Sequence, residues 1–205
     1  HSGFVPSLFL SQSTEVQALG TFPTFELSQL LIEDMIKISG FYLPFEYLDL
    51  VTMLNHSRRL EYRDTYKMND VRVTLHESGH ILGGATVVVE HDKKRLFYTG
   101  DINTRGSKLL RPADLNFEDI DLMIIESTYS QTEQTPREQS ETDLLEYAYE
   151  VIERKGTLFI PAFSVERAQE IACVLKTYNF PHKIVMDGMA LKANEIMMKH
   201  PTFLR

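Results

Sequence analysis

The chain has 205 residues, of which 43% are hydrophobic, 24% charged and 10% aromatic, and its formal net charge is −8. This composition excludes intrinsic disorder, collagen and coiled coil, and the length supports one substantial core, or one domain plus part of another. A chain this acidic is not held on nucleic acid by bulk charge, so a polyanionic substrate would need local positive groups or bound metal.

In chain order, His1–Gly3 reads as a loop and Phe4–Leu10 as a short apolar helix. Glu15–Leu19 predicts a short strand. Thr24–Ile38 carries Phe25, Leu27, Leu30, Leu31, Met35 and Ile38 at helical spacing, with Pro23 or Thr24 marking its start. Pro44–Asn55 is a second helix candidate. The period then changes: Val71, Val73 and Leu75 alternate with Arg72 and Thr74 as in a half-buried strand. Ala85–Glu90 and Arg95–Thr99 predict a hairpin turning at His91–Lys94. Leu122–Glu126 is an apolar run that ends on an acid, which predicts a fully buried strand with a functional tip. Beyond Pro136 the pattern is helix (137–154), strand (157–160), helix (166–178), strand (183–186) and helix (191–200), as at the start of a parallel sheet. The Gln-, Thr- and Glu-rich stretch 130–136 is a candidate boundary, dividing 1–130 from 131–205. There is no internal repeat. The lone cysteine, Cys173, falls on a helical pattern and reads as a small core residue; it excludes an internal disulfide and fits a reducing compartment. No apolar run approaches the roughly 20 residues of a membrane span, so no membrane partner is expected.

His76-Glu77-Ser78-Gly79-His80 satisfies H-E-x-x-H, the zincin pattern, which works only on a helix. Here a strand runs into His76, and glycines stand at 79, 83 and 84, each costing about 1 kcal/mol in a helix. The better reading puts His80 on a strand-to-loop turn, where glycine lets the backbone approach a metal; the alternative is a core histidine. Asp101 follows a strand in Thr99-Gly100-Asp101, as an Asx turn, a helix cap or a ligand whose two oxygens bridge two ions. Glu126 ends its apolar run facing a cleft, or as a capping acid. His1, followed by Ser-Gly, is not singled out by spacing. Ser164 and Arg167 stand where a helix N-terminus receives a phosphate, or where Ser164 simply caps the helix and Arg167 pairs with an acid. Arg58, Arg59 and Arg63 read as a solvated face, the aromatics of Phe41–Tyr47 as packing, and His56, His91, His182 and His200 lack ligand-like context.

Several segments together resemble one family. His1-Ser2-Gly3-Phe4-Val5-Pro6 resembles the tail of the metallo-β-lactamase H-x-H-x-D-H signature, and Gly79-His80-Ile81-Leu82-Gly83 its G-H-x-L-G motif. Thr99-Gly100-Asp101 resembles T-G-D. Glu126-Ser127-Thr128-Tyr129, Thr157–Glu170 and Asp187-Gly188-Met189-Ala190 resemble the E-S-T-Y, L-I-P-x-F-x-x-x-R-x-Q-E and D-G-M-A motifs of the β-CASP branch, with Ser130 where that branch often has glycine. Each is weak alone, but the ordered set is strong and spans nearly the whole chain. The chain is similar to the RNA-processing β-CASP nucleases.

The resemblance implies an α/β fold: a partial metallo-β-lactamase αββα sandwich over 1–130, then the N-terminal part of a β-CASP domain over 131–205. It implies two zinc ions, with His80 on the first, His1 on the second and Asp101 bridging both. Glu126 would hydrogen-bond a catalytic histidine. It implies metal-assisted hydrolysis of RNA, single-stranded DNA being the lesser expectation, by endo- or exonucleolytic cleavage in 3′-end processing or decay. A homodimer or an RNA-processing complex, and a cytoplasmic location, are further expectations. Ligands of the family pattern are missing before His1 and after Arg205, so the chain reads as a fragment expected to lack a competent two-zinc site by itself. The alternatives are a catalytically silent paralogue acting as a scaffold, a small ester or thioester hydrolase, which the Glu126–Tyr129 and Pro161–Glu170 segments oppose, and the zincin protease.

Overall fold

The computed structural model describes residues 2–12 and 16–205. The expected ligand His1 and the Glu15 start of the first strand lie outside the described residues. The fold is mixed α/β. A five-stranded sheet runs in the order β3 (Thr65–Met68), β4 (Val71–Glu77), β5 (Ala85–His91), β6 (Lys94–Tyr98) and β7 (Leu122–Ile124). The first four strands pair antiparallel, and β7 pairs parallel to β6. A second, two-stranded sheet pairs β1 (Ala18–Gly20) with β2 (Ser57–Arg59) in parallel.

The helices follow the apolar period closely. α1 (Phe22–Ser39) buries Leu27 and Ile32 into different clusters. Leu27 meets Leu82, Leu110, Ala193, Met197 and Phe203, so α1 packs on the loops beside the sheet and on α5 (Met189–Lys199). Ile32 meets Phe9, Phe45, Leu50 and Met53, where α2 (Tyr47–Asn55) and the 3-10 segment Ser2–Gln12 close the far side. α2 starts later than expected because Glu46 and Asp49 form a reciprocal capping box in which the Asp49 carboxylate accepts the Glu46 N–H at 2.8 Å. α3 (Arg137–Glu153) and α4 (Arg167–Thr177) follow their predicted ranges within two residues. Among the described residues no helix is long and apolar enough to cross a membrane.

Four expectations need correction. β7 is not buried: Leu122, Met123 and Ile124 are each about half exposed, because β7 is the edge of the described sheet. Residues 157–160 and 183–186 form no strand; an isolated strand has no ladder to satisfy its amides, and neither segment pairs with β7. Phe41 and Tyr42 are not packed but fully exposed, and only Phe45 of that group is core. β2 and β3 were not expected, being short and largely polar.

The loop after β4 is stapled to α1. Thr21 Oγ1 and Thr24 Oγ1 both donate to the Gly83 carbonyl, at 2.9 and 2.8 Å. Gly83 has φ +72°, and a Cβ there would lie 2.5 Å from Pro23 Cγ and 2.6 Å from Thr21 Oγ1. Gly83→Ala is therefore expected to destabilise the chain by about 2–4 kcal/mol, combining left-handed strain with overpacking, read as a lowered midpoint in thermal or urea unfolding. A change under about 0.5 kcal/mol would contradict this account.

Candidate functional site

Strand direction decides which residues can meet. β4 and β6 both run antiparallel to β5, and β7 runs parallel to β6, so β4, β6 and β7 end at one edge of the sheet. His80, Asp101 and Glu126 are the residues that follow those three ends. The structure brings them together. His80 Nε2 lies 3.7 Å from Asp101 Oδ2, and both side chains are about 40% exposed. Glu126 Oε1 accepts the Ile102 N–H at 2.8 Å, immediately after Asp101. Hydrogen bonds from Thr128 and from the Ile102 amide, with the nearby His80 ring, hold the Glu126 carboxyl below its usual range.

The backbone around these side chains is tightly closed. Ser78, 1% exposed, donates its N–H to Gly84 O at 3.0 Å and accepts the Asn103 N–H on its carbonyl at 2.9 Å. Gly79 sits at φ +67°, where a Cβ would meet Asn103 O at 2.4 Å. Only glycine lets the His80 loop lie this close to the Asp101 loop. Buried Thr99 continues the ladder by donating its N–H to Ile124 O at 3.0 Å, and its Oγ1 accepts the Glu126 N–H at 3.3 Å.

The H-E-x-x-H string is not a zincin helix. His76 and Glu77 are the last two residues of β4. The Glu77 carboxylate accepts Arg111 Nε at 3.0 Å, and burial raises its pKa. His76 is a buried structural histidine with Nδ1 3.3 Å from Asp114 Oδ2 and its ring edge-on to Phe117.

Ser164 does not cap the helix, whereas Arg167 does pair with a neighbouring acid. The helix cap is Glu166, at φ 70°, and the Ser164 hydroxyl donates to Met189 Sδ at 3.4 Å instead of capping. Arg167 Nε is 3.9 Å from Glu166, with the guanidinium half exposed. Among the described residues neither is joined by a hydrogen bond or ion pair to His80 or Glu126. Sequence reading missed Thr128 and the Ile102 amide; the signal for Thr128 was its place within Glu126-Ser-Thr-Tyr.

In type, one imidazole and one exposed carboxylate suit a divalent cation. In number they are half a site: among the described residues no group of three His, Cys, Asp or Glu side chains could hold an ion.

The profile of the metallo-β-lactamase superfamily domain matches residues 2–132. The chain aligns over its whole length with RNase aCSPSF2 of Saccharolobus solfataricus, at 32% identity and covering 42% of that protein. It aligns likewise with a protein named probable RNase MJ4 of Methanocaldococcus jannaschii, at 34% identity over 49% of it. Transcription termination factor FttA of the same organism is 35% identical, with 34% of it covered. The chain thus spans less than half the length of these curated relatives.

Asp114 holds the end of β4, donating its N–H to the Glu77 carbonyl at 2.8 Å. It takes Arg63 Nε at 2.8 Å and Nη2 at 3.0 Å, the Asn116 N–H at 3.1 Å and His76. The Arg63 guanidinium leads in holding its carboxyl at about 2, below the ordinary 3.8. Its folded pKa is depressed, so its stabilisation is present above pH ~4 and is lost as pH falls toward 2. Because Arg63 is largely exposed, screening trims the contribution. Asp114→Asn is expected to cost about 1–2 kcal/mol at pH 7, and the gap from wild type should close between pH ~4 and ~2 in urea unfolding. A gap independent of pH would refute the ionic account.

Proposed function

This chain belongs to the metallo-β-lactamase superfamily and to its β-CASP branch, and on that premise we propose that it carries part of the active site of a zinc-dependent ribonuclease. The observation that carries this reading is the meeting of His80 and Asp101 at 3.7 Å on the sheet edge where Glu126 also ends.

In this reading His80 and Asp101 would hold divalent ions, two zincs being the full complement, with His1 as a further ligand. Bound metal would supply an activated water and, against the anionic scissile phosphate, the positive charge that a chain of net charge −8 lacks. The chain's own residues set the geometry. Glu126, kept ionised, holds the Ile102 amide and so fixes the turn that presents Asp101. The Ser78–Asn103 bond fixes that turn against His80. Both ligand side chains stay accessible, as a polymeric substrate requires. Arg167, half exposed on α4, remains a candidate for a phosphate contact. The residues up to 130 hold the candidate ligands, and those from 131 onward are proposed as the start of a second, substrate-side domain. Single-stranded RNA is the proposed substrate, supported by the RNase names of two relatives. The silent-scaffold alternative has less support, because His80, Asp101 and Glu126 are all retained and converge.

Zinc content of the full-length protein by elemental analysis, beside Asp101→Ala, is the direct test. The expected result is bound zinc that falls sharply in the variant, with cleavage of single-stranded RNA reduced at least about a hundredfold. No zinc in either protein, purified without chelator and after zinc addition, would overturn the nuclease and favour the scaffold.

A further inference from the structure

One of the groups that hold the loop carrying Asp101 from outside the sheet is a buried carboxylate on α4. Glu170, in the first turn of α4, is 1% exposed. Its Oε1 accepts the Lys108 N–H at 2.8 Å and its Oε2 the Leu109 N–H at 2.9 Å. Arg137 of α3 donates to the same Oε1. Arg137 also binds Glu141, which takes Lys108 Nζ at 3.1 Å and Tyr178 Oη at 2.9 Å. Burial works against ionisation of Glu141, but these donors outweigh it and keep its carboxyl below the usual range. Two helices and one loop are thus joined through two buried carboxylates.

The rest of the loop is closed on itself. Ser107 Oγ accepts the Leu109 and Leu110 amides at 3.2 and 2.9 Å. Asn103 donates to Ser78 O at 2.9 Å and accepts the Ala113 N–H at 2.8 Å. Asn103 Nδ2 reaches Gly106 O at 3.4 Å. Outside the segment, Ser78 and Glu126 hold its start beside His80, Arg205 donates to the Ser107 and Leu109 carbonyls, Arg111 binds Glu77 and the 202 and 204 carbonyls, and Glu170 on α4 takes the Lys108 and Leu109 amides.

Three donors converge on Glu170 at its two oxygens. A glutamine there offers one carbonyl oxygen and turns an N–H group toward donors that need an acceptor. The charge is required by the amides and the guanidinium together. Glu170 faces those amides and not the His80–Asp101 pair, so no step of the proposed chemistry uses it.

We propose that Glu170 is a positioning residue: its buried carboxylate latches the Lys108 and Leu109 amides and thereby keeps Asp101 within reach of His80. The link to metal rests on the functional reading above; the latch itself rests on hydrogen bonds alone.

Amide hydrogen exchange on the full chain, with no metal added, tests the latch. In Glu170→Gln, exchange is expected to rise about tenfold at Lys108 and Leu109, and also at Ile102 and Asn103, while β4 to β6 keep their protection. A rise confined to 108–109, or none, overturns the proposal. If Glu170→Gln does not fold, Glu170→Asp takes its place, keeping the charge but shortening the reach, with the same criteria. Loss of β4–β6 protection in both variants would mean a general structural role and also overturns it. Titration of the full-length protein with zinc alone then tests the link to the site: Glu170→Gln should bind about tenfold more weakly than wild type. Equal affinity overturns the positioning role. A wild type that binds no zinc counts against the ribonuclease reading, and exchange at Ile102 still decides the latch.

Discussion

The contact on which this structure depends is the approach of two backbones, Gly79 against Asn103. The Ser78 carbonyl accepts the Asn103 amide, and a Cβ on Gly79 would collide with the Asn103 carbonyl. That distance sets how close His80 and Asp101 come, because each stands within two residues of the contact. Neither loop has regular structure to hold its shape. Each is instead anchored at its far end: the His80 loop by Thr21 and Thr24 on the Gly83 carbonyl, the Asp101 loop by Glu170. Helix α1, with Thr21 just before it, and helix α4 thus reach the site through side-chain bonds to loop backbone rather than by contributing candidate ligands.

The acids divide by environment into two kinds. Glu141 and Glu170 are almost fully buried and are matched by Arg137, Lys108, Tyr178 and backbone amides. A buried carboxylate without such donors would be very costly, so these groups are committed to architecture. Asp101 is about 40% exposed and faces an imidazole rather than a guanidinium. An imidazole nitrogen and a carboxylate oxygen are both donor types that suit a divalent cation. Glu126 lies between the two kinds, ionised but spent on the Ile102 amide and Thr128. The excess of acids over bases in the composition therefore does not describe a uniformly repulsive surface, because part of it is neutralised inside.

Much of this was legible in the sequence. The helical period located α1, α3, α4 and α5, and strand alternation into His76 ruled out a zincin helix. His80, Asp101 and Glu126 each stood just past an apolar strand pattern, which was enough to nominate them. What local pattern could not convey was pairing. Leu122–Ile124 has the composition of a central strand, yet it sits at the edge of the described sheet. The apolar runs at 157–160 and 183–186 look like strands for the same reason and do not pair. Ser164 looked like a helix cap, but the backbone enters α4 through Glu166 in the left-handed region and the hydroxyl turns to Met189.

Glu170 shows why such positions escape a sequence reading. An acid in the first turn of a helix ordinarily needs no more explanation than the helix dipole. Its neighbours at 108 and 109 lie about 60 residues upstream and offer amides, which every residue carries. No side-chain pattern can announce a bond whose other half is backbone. The candidate ligands were visible because their chemistry is rare and their loops follow strands. The group that holds one of those loops in place became visible only when burial and hydrogen bonding were read together.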